Sequence, residues 1–205
     1  MPDGTDLELY IVHGKEERYL EYKRAMIWTN DLTKVKIAKA MMAMSNLNDG
    51  GVIVVGMREN EGMWVPESMT PEQVASFNHD HVADYVNAHA TPSVQFSIDP
   101  FMLDGNQFII IRVQGFDSFP VICKLPDRAG EETLDTGAIY FRSHRKVQSA
   151  AISSDEDSRE LFSMVIEKGF SRHIERFHRL GLVTAEPAGA VDFARYEEER
   201  ADLND

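Results

Sequence analysis

Cysteine is nearly absent from this chain: one residue of 205, Cys123, carries a thiol. A single thiol excludes an internal disulfide and any zinc site built on several thiolates. Long apolar runs are missing too, since none approaches the roughly 20 residues that a membrane-spanning helix needs. The opening residues, Met1 to Glu8, have neither the basic start nor the apolar stretch of a signal peptide. These absences predict a protein of the reducing cytoplasm with no membrane partner. Positive charge is scarce: 21 Lys and Arg stand against 34 Asp and Glu, a formal net charge of −13. That balance argues against a generic nucleic-acid binder, whose overall field attracts phosphate. Residues 1–150 hold 14 bases and 21 acids, and residues 183–205 alone hold 2 and 7. Any contact with nucleic acid must therefore use a local basic patch.

What is present is ordinary for a globular chain, with 43% hydrophobic and 27% charged residues. The length predicts one domain plus an appendage. Residues 14–25 read as a charged helical start running into Leu20-Glu21-Tyr22-Lys23, which can begin a strand. Thr33 to Asn46 reads as a helix from the 3–4 spacing of Val35, Ala38, Met41, Met42 and Ser45. Asn48-Asp49-Gly50-Gly51 forces a turn. Val52 to Gly56 is a continuous apolar run, the mark of a strand covered on both faces. Thr70-Pro71-Glu72-Gln73 is a capping box with Pro at the first helical position, and the helix it starts is expected to run to about Ala90. Val94–Ile98 and Gln107–Val113 read as a strand pair joined through Asp104-Gly105-Asn106. Phe119–Leu125 and Ala138–Arg142 read as a second pair. A last helix is expected from about Asp155, whose acidic start suits a helix N-terminus, to Leu180, with Gly181 as its cap. The predicted divisions are a main domain over 1–152, a helical extension over 153–182 and an acidic tail over 183–205.

The order of these signals resembles the Schlafen/AlbA-like domain family. Glu21-Tyr22-Lys23 is similar to the Glu-hydrophobic-Lys element with which that family opens. Ser45-Asn46, Asp49-Gly50-Gly51 and Val52-Ile53-Val54-Val55-Gly56-Met57 are similar to the helix end, Gly-Gly turn and buried strand that follow. Pro92, the strand Phe108–Val113, Pro120, and Tyr140-Phe141-Arg142-Ser143 with Lys146 and Ala150-Ala151 complete the run. The resemblance covers about residues 14–165. It implies an α/β (α+β) fold, a mixed β-sheet with packed helices forming a Schlafen/AlbA-like lobe, here followed by a C-terminal helix.

The same resemblance implies a chemistry. Catalytic Schlafens cut structured RNA with three carboxylates that hold a divalent metal, and the matching positions are Glu16, Glu21 and Glu59. Glu59 stands where Asp is usual. Mg²⁺ or Mn²⁺ suits carboxylate oxygens, and a metal so held can activate water beside a phosphate. Five residues along a helix turn a side chain by roughly 140°. Glu16 and Glu21 therefore converge only if the chain changes conformation between them; otherwise they are solvated carboxylates among ordinary neighbours. Both readings stand. No zinc is expected, because the zinc site of vertebrate Schlafens needs more than one cysteine. Those proteins join two lobes, so a comparable groove here implies a homodimer.

Two basic groups are candidates for phosphate contact: Lys15, Arg18, Lys23 and Arg24, and, further on, Arg142, Arg145 and Lys146 with His144. Lys34, Lys36 and Lys39 stud the intervening helix. His79, His81 and His89 lack companion ligands at metal spacing, and Asp49-Gly50-Gly51 precedes its strand, unlike a P-loop. Cys123 has no evident activating base. Three functions follow as alternatives: a metal-dependent endoribonuclease acting on tRNA-like RNA, a non-catalytic RNA- or DNA-binding regulator, or an assembly protein whose acidic tail docks a protein partner.

Overall fold

The computed structural model describes residues 4–144 and 148–180. The expected acidic tail, the Gly181 cap and two candidate phosphate contacts, Arg145 and Lys146, lie outside the described residues. The chain divides into two units, Met1–Val165 and Ile166–Asp205.

The first unit is built on a four-stranded sheet. A short helix α1 (Gly4–Val12) leads through a turn at Gly14, whose φ is +64, to the edge strand β1 (Leu20–Lys23). No helix forms over the expected charged stretch. The segment folds back through a bridge between Glu17 and Leu20, because Leu20 and Tyr22 are drawn into the core while β1 pairs in parallel with β2 (Gly51–Val55). Between them runs α2 (Asp31–Ser45), started by Asn30, whose side chain accepts hydrogen bonds from the Leu32 and Thr33 N–H groups. Ten of its residues are buried, so this helix is packed nearly all round.

The turn from α2 into β2 has a steric cause. A Cβ on Gly50, at φ +77, would lie 2.0 Å from the Val113 carbonyl oxygen, and one on Gly51 would lie 2.2 Å from the Met44 sulfur. The Asp-Gly-Gly signal is thus a close-packing device. Beyond β2, a ribbon of β3 (Met57–Asn60) and β4 (Met63–Pro66) turns at Glu61-Gly62, both at positive φ.

The capping box at Thr70 forms as expected, but the helix after it is interrupted. α3 (Pro71–Ser76) ends at Phe77, and Asn78 caps a second helix, α4 (His79–His89). The break sets Phe77 into the core beside Trp28, with ring centroids 5.8 Å apart. β5 (Ala90–Thr91) follows, then the antiparallel pair β6 (Phe96–Leu103) and β7 (Asn106–Val113), joined at Asp104-Gly105. The sheet order is β1-β2-β7-β6, with β1 and β2 parallel and the other pairings antiparallel.

The second expected strand pair is rearranged. β8 (Ile122–Cys123) pairs with β5, while β11 (Tyr140–Arg142) pairs with β12 (Ser149–Ala151). Between them, β9 (Asp127–Ala129) and β10 (Glu132–Leu134) form a hairpin in the segment that separates the two expected strands. Direct pairing of the two expected strands is reduced to the Cys123 N–H donating to the Ala138 carbonyl at 2.9 Å, and Asn46, fully buried at the end of α2, adds to it. Its side-chain amide donates to the Val121 and Tyr140 carbonyls and its oxygen accepts from the Val121 N–H.

Alternation along the strands makes two cores. Ile53, Val55, Ile109 and Ile111 face α2, and Val52, Val54, Phe108 and Ile110 face α1 with Leu20 and Tyr22. The last helix, α5 (Asp155–Arg179), is continuous through Gly169. Its first turns belong to the first unit, where Leu161 and Met164 join the core on the α2 side. Ile166 onward belongs to the second unit, in which every described residue but Lys168 and Gly169 is exposed. Among the described residues, no helix is long and apolar enough to cross a membrane.

Candidate functional site

β1 is an edge strand, and its odd-numbered side chains point to the side of the sheet that carries α2. Glu21 and Lys23 stand in register with Ile53 and Val55 of β2. On α2, Lys36 and Lys39 are three residues apart and so share a face. The β11–β12 ribbon closes the third side, bringing Gln148 and Ser149. The result is an open cleft of about 530 Å³ lined by Glu16, Glu21, Lys23, Arg24, Lys36 and Lys39, with Trp64 as an aromatic wall. Trp64 packs against Tyr22, centroid to centroid 5.7 Å.

Glu21 is at the base of this cleft and is 5% exposed. Burial alone would raise its pKa. The charges of Lys23 and Arg142, with hydrogen bonds from Lys23 and Ser149, outweigh burial and hold the carboxyl below its ordinary value. One oxygen is paired with the Lys23 ammonium; the other accepts from Arg142 and, at 2.9 Å, from the Ser149 hydroxyl. Both oxygens are therefore occupied.

Arg142 departs from its expected role as a phosphate contact. It is fully buried, and its guanidinium donates to the carbonyls of Arg18 (2.8 Å), Glu17 (2.9 Å) and Leu20 (3.4 Å) besides Glu21. It locks the β1 edge to β11 and aims Glu21. Arg18 is likewise engaged: it donates to the Arg142 carbonyl and to Glu160 of α5, both at 2.6 Å, and lies over the Phe141 ring. These two bases brace the lobe.

The chain does change conformation between Glu16 and Glu21, passing from a turn into a strand, and both line the cleft. Glu16 accepts from the Tyr22 N–H at 3.1 Å. Burial raises its pKa, with the nearby Glu21 charge adding to the shift against the Tyr22 hydrogen bond. Glu59 is exposed and does not line the cleft, although it stands opposite Trp64 in the β3–β4 ribbon and shares that face. Among the described residues no three His, Cys, Asp or Glu side chains gather at metal-binding distance. The expected Glu16, Glu21 and Glu59 set is not assembled around a common point. Both Glu21 oxygens are taken by cations, so a divalent ion held by Glu16 and Glu21 would have to displace Lys23.

The remaining bases differ in how firmly they are held. Arg24 is paired with Glu67, its Nε 3.1 Å from the carboxylate. Lys39 is paired with Glu132 at 2.6 Å. Lys36 is half-buried and has no ion-pair partner among the described residues. Lys15 is exposed beside the turn that carries Glu16. Sequence reasoning noted Lys36 and Lys39 without assigning them to the site, and it missed Trp64, Gln148 and Ser149. The three-residue spacing of the two lysines on an otherwise buried helix was the available signal. The histidines serve local packing, with His79 stacked on Phe96 and His89 bonded to the Leu125 carbonyl. Cys123 is buried, and burial pushes its thiol up.

No curated protein matches the chain. Among solved structures, the DIP2311 protein of Corynebacterium diphtheriae is 12% identical at a TM-score of 0.47, over 77% of this chain and 28% of its own length. The N-terminal domain of a RecG-related protein from Nitrosomonas europaea is 17% identical at a TM-score of 0.45, over 75% of this chain and 94% of its own. This chain thus spans well under two thirds of the first of these proteins. The family model described as "Schlafen, AlbA_2" matches residues 16–151, from the first carboxylate of the cleft to the end of β12 and more than half of the chain. The chain belongs to the Schlafen AlbA_2 family.

Proposed function

We propose that this chain binds the phosphate backbone of RNA or DNA in the cleft along β1, as a non-catalytic nucleic-acid-binding domain. One observation carries the reading: in a chain of net charge −13, Lys23, Arg24, Lys36 and Lys39 line the same cleft, and Lys36 has no acidic partner among the described residues. An ammonium in that position gains from a phosphate oxygen without giving up an ion pair. Gln148 and Ser149 add neutral donors, and Trp64 offers a face on which an unpaired base can stack.

Salt dependence tests this directly. Four phosphate contacts on a single strand give a slope of about −3 in log affinity against log salt, at about 0.7 per contact. Fluorescence anisotropy with a labelled RNA or DNA strand, between about 50 and about 200 mM salt, reads that slope. Lys36→Ala is expected to weaken binding and to flatten the slope by about one contact. Binding that ignores salt, or a slope unchanged by Lys36→Ala, overturns the proposal.

A second reading, metal-dependent cleavage of structured RNA, is supported by Glu16 and Glu21 sharing the cleft. Incubating purified tRNA with manganese and either the wild type or Glu16→Gln separates the two readings. Cleavage that disappears in the variant supports the nuclease, and intact RNA beside salt-sensitive binding supports binding alone. Glu16 is the better probe because replacing Glu21 disturbs the fold through Arg142.

A further inference from the structure

α5 carries a second apolar face, which is exposed. Leu161 and Met164 are buried, whereas Phe162, Ile166 and Phe170 are 65%, 71% and 66% exposed, and Ile174 and Phe177 continue the series. At roughly 100° per residue these five side chains fall within an arc of about 80–120°, a single stripe on the side away from Leu161 and Met164. An exposed apolar stripe of three phenylalanines and two isoleucines is rare on a monomer and marks an interaction surface.

The charges along the helix say what covers it. Residues 155–166 carry four acids and one base, and residues 167–180 carry four bases and two acids. Parallel pairing of two such helices sets like charge beside like. Antiparallel pairing sets the acidic half of each against the basic half of the other. The apolar positions have the same symmetry. With a two-fold axis beside Phe170, Ile166 of one copy meets Ile174 of the other, and Phe162 meets Phe177. Both patterns are self-complementary, as an isologous dimer interface requires.

We propose that the exposed face of α5 is a homodimer interface, formed by antiparallel packing on α5 of a second copy. Each particle then carries two of the β1 clefts, and a nucleic acid long enough to reach both is bound by avidity. The interface does not depend on what the cleft binds.

Sedimentation velocity of the full chain at tens of micromolar, about the range in which modest interfaces assemble, is expected to show a dimer. Phe170→Glu places two like charges at the axis and is expected to give a monomer, with circular dichroism showing retained helix. Orientation is read by disulfide trapping. Ile166→Cys mixed with Ile174→Cys is expected to give a crosslinked heterodimer under oxidising conditions, while Ile166→Cys alone does not crosslink. A monomeric wild type, a Phe170→Glu variant that remains dimeric, or efficient self-crosslinking of Ile166→Cys alone overturns the proposal.

Discussion

Replacing Arg142 by Met asks whether the buried charge at the cleft base is structural. Met fills much of the same space but cannot donate. The change takes a donor from the Arg18, Glu17 and Leu20 carbonyls, of which Glu17 and Leu20 still accept from each other's N–H, and leaves Glu21 buried with Lys23 and Ser149 alone. Breaking one side of a buried pair costs about 3–5 kcal/mol, and the lost hydrogen bond to the Arg18 carbonyl adds to that cost. Against a total stability of about 5–15 kcal/mol the variant still folds. Its pH dependence carries the sharper test. In the wild type, Glu21 sits below its ordinary value of 4.5. Its contribution to stability is thus complete above that value and is lost as pH falls through the lower folded value. Without Arg142, burial gains on the opposing charges and the folded pKa moves up. The deficit of Arg142→Met relative to wild type is therefore largest near neutrality and shrinks as the pH drops into the range where Glu21 takes up a proton. Urea unfolding followed by circular dichroism, at neutral pH and again in mild acid, measures both quantities. The double variant Glu21→Gln with Arg142→Met is expected to fall short of additivity by about 0.5–3 kcal/mol. A loss below about 1 kcal/mol, or one that does not change with pH, refutes the account.

Two further outcomes follow from buried polar groups. Asn46→Ala removes three hydrogen bonds of 2.7–2.9 Å that tie α2 to the segments before β8 and at β11. Urea titration is expected to show a loss of about 3 kcal/mol, and a loss under about 1 kcal/mol argues against it. Glu16→Gln keeps an oxygen for the Tyr22 N–H but removes a charge that burial and Glu21 disfavour. The raised folded pKa means that ionisation costs stability as pH rises above the ordinary value of 4.5. The variant is therefore expected to gain melting temperature over wild type as pH rises from that value to neutrality. A loss in that range contradicts it.

Much of the fold could be read locally. The Asn48 to Gly51 turn, the apolar run of β2, the β6–β7 hairpin and the Thr70 cap each have a cause within a few residues, whether steric, periodic or hydrogen-bonded. What escaped was set by distant partners. β5, β8, β11 and β12 are two or three residues long, too short for a period of two to show, and their pairings depend on Asn46 reaching across from α2. Asn78 could have been recognised as a cap, but the unbroken apolar series through Phe77 and Val82 hid the break. At the site, the family pattern pointed to Glu16 and Glu21, which do share a cleft. Local clustering of charge, by contrast, grouped Arg142 with surface bases, because a charged residue's burial depends on partners 120 and more positions away.

The four lining cations are not equivalent, and the difference follows from what each surrenders to bind phosphate. Lys36 has no ion pair to give up among the described residues. Arg24 must release Glu67, but its side chain is largely exposed, and exposed pairs are worth about 0–1 kcal/mol, so the exchange costs little. Lys39 is better enclosed, against Glu132 and over the Tyr140 ring, and its exchange costs more. Lys23 neutralises a carboxylate that is nearly out of solvent, and moving it strips a buried charge of one partner. The contributions to affinity should therefore fall in the order Lys36, Arg24, Lys39, Lys23, when each is replaced by Ala and titrated at one salt concentration. Ranking by proximity to Glu21 would put Lys23, its direct partner, first. If Lys23→Ala proves the most damaging to binding while the protein's melting temperature holds, the cleft is organised around Glu21 and a displaceable cation. The ion pair would then be a resting state of the site rather than a fixed part of its frame.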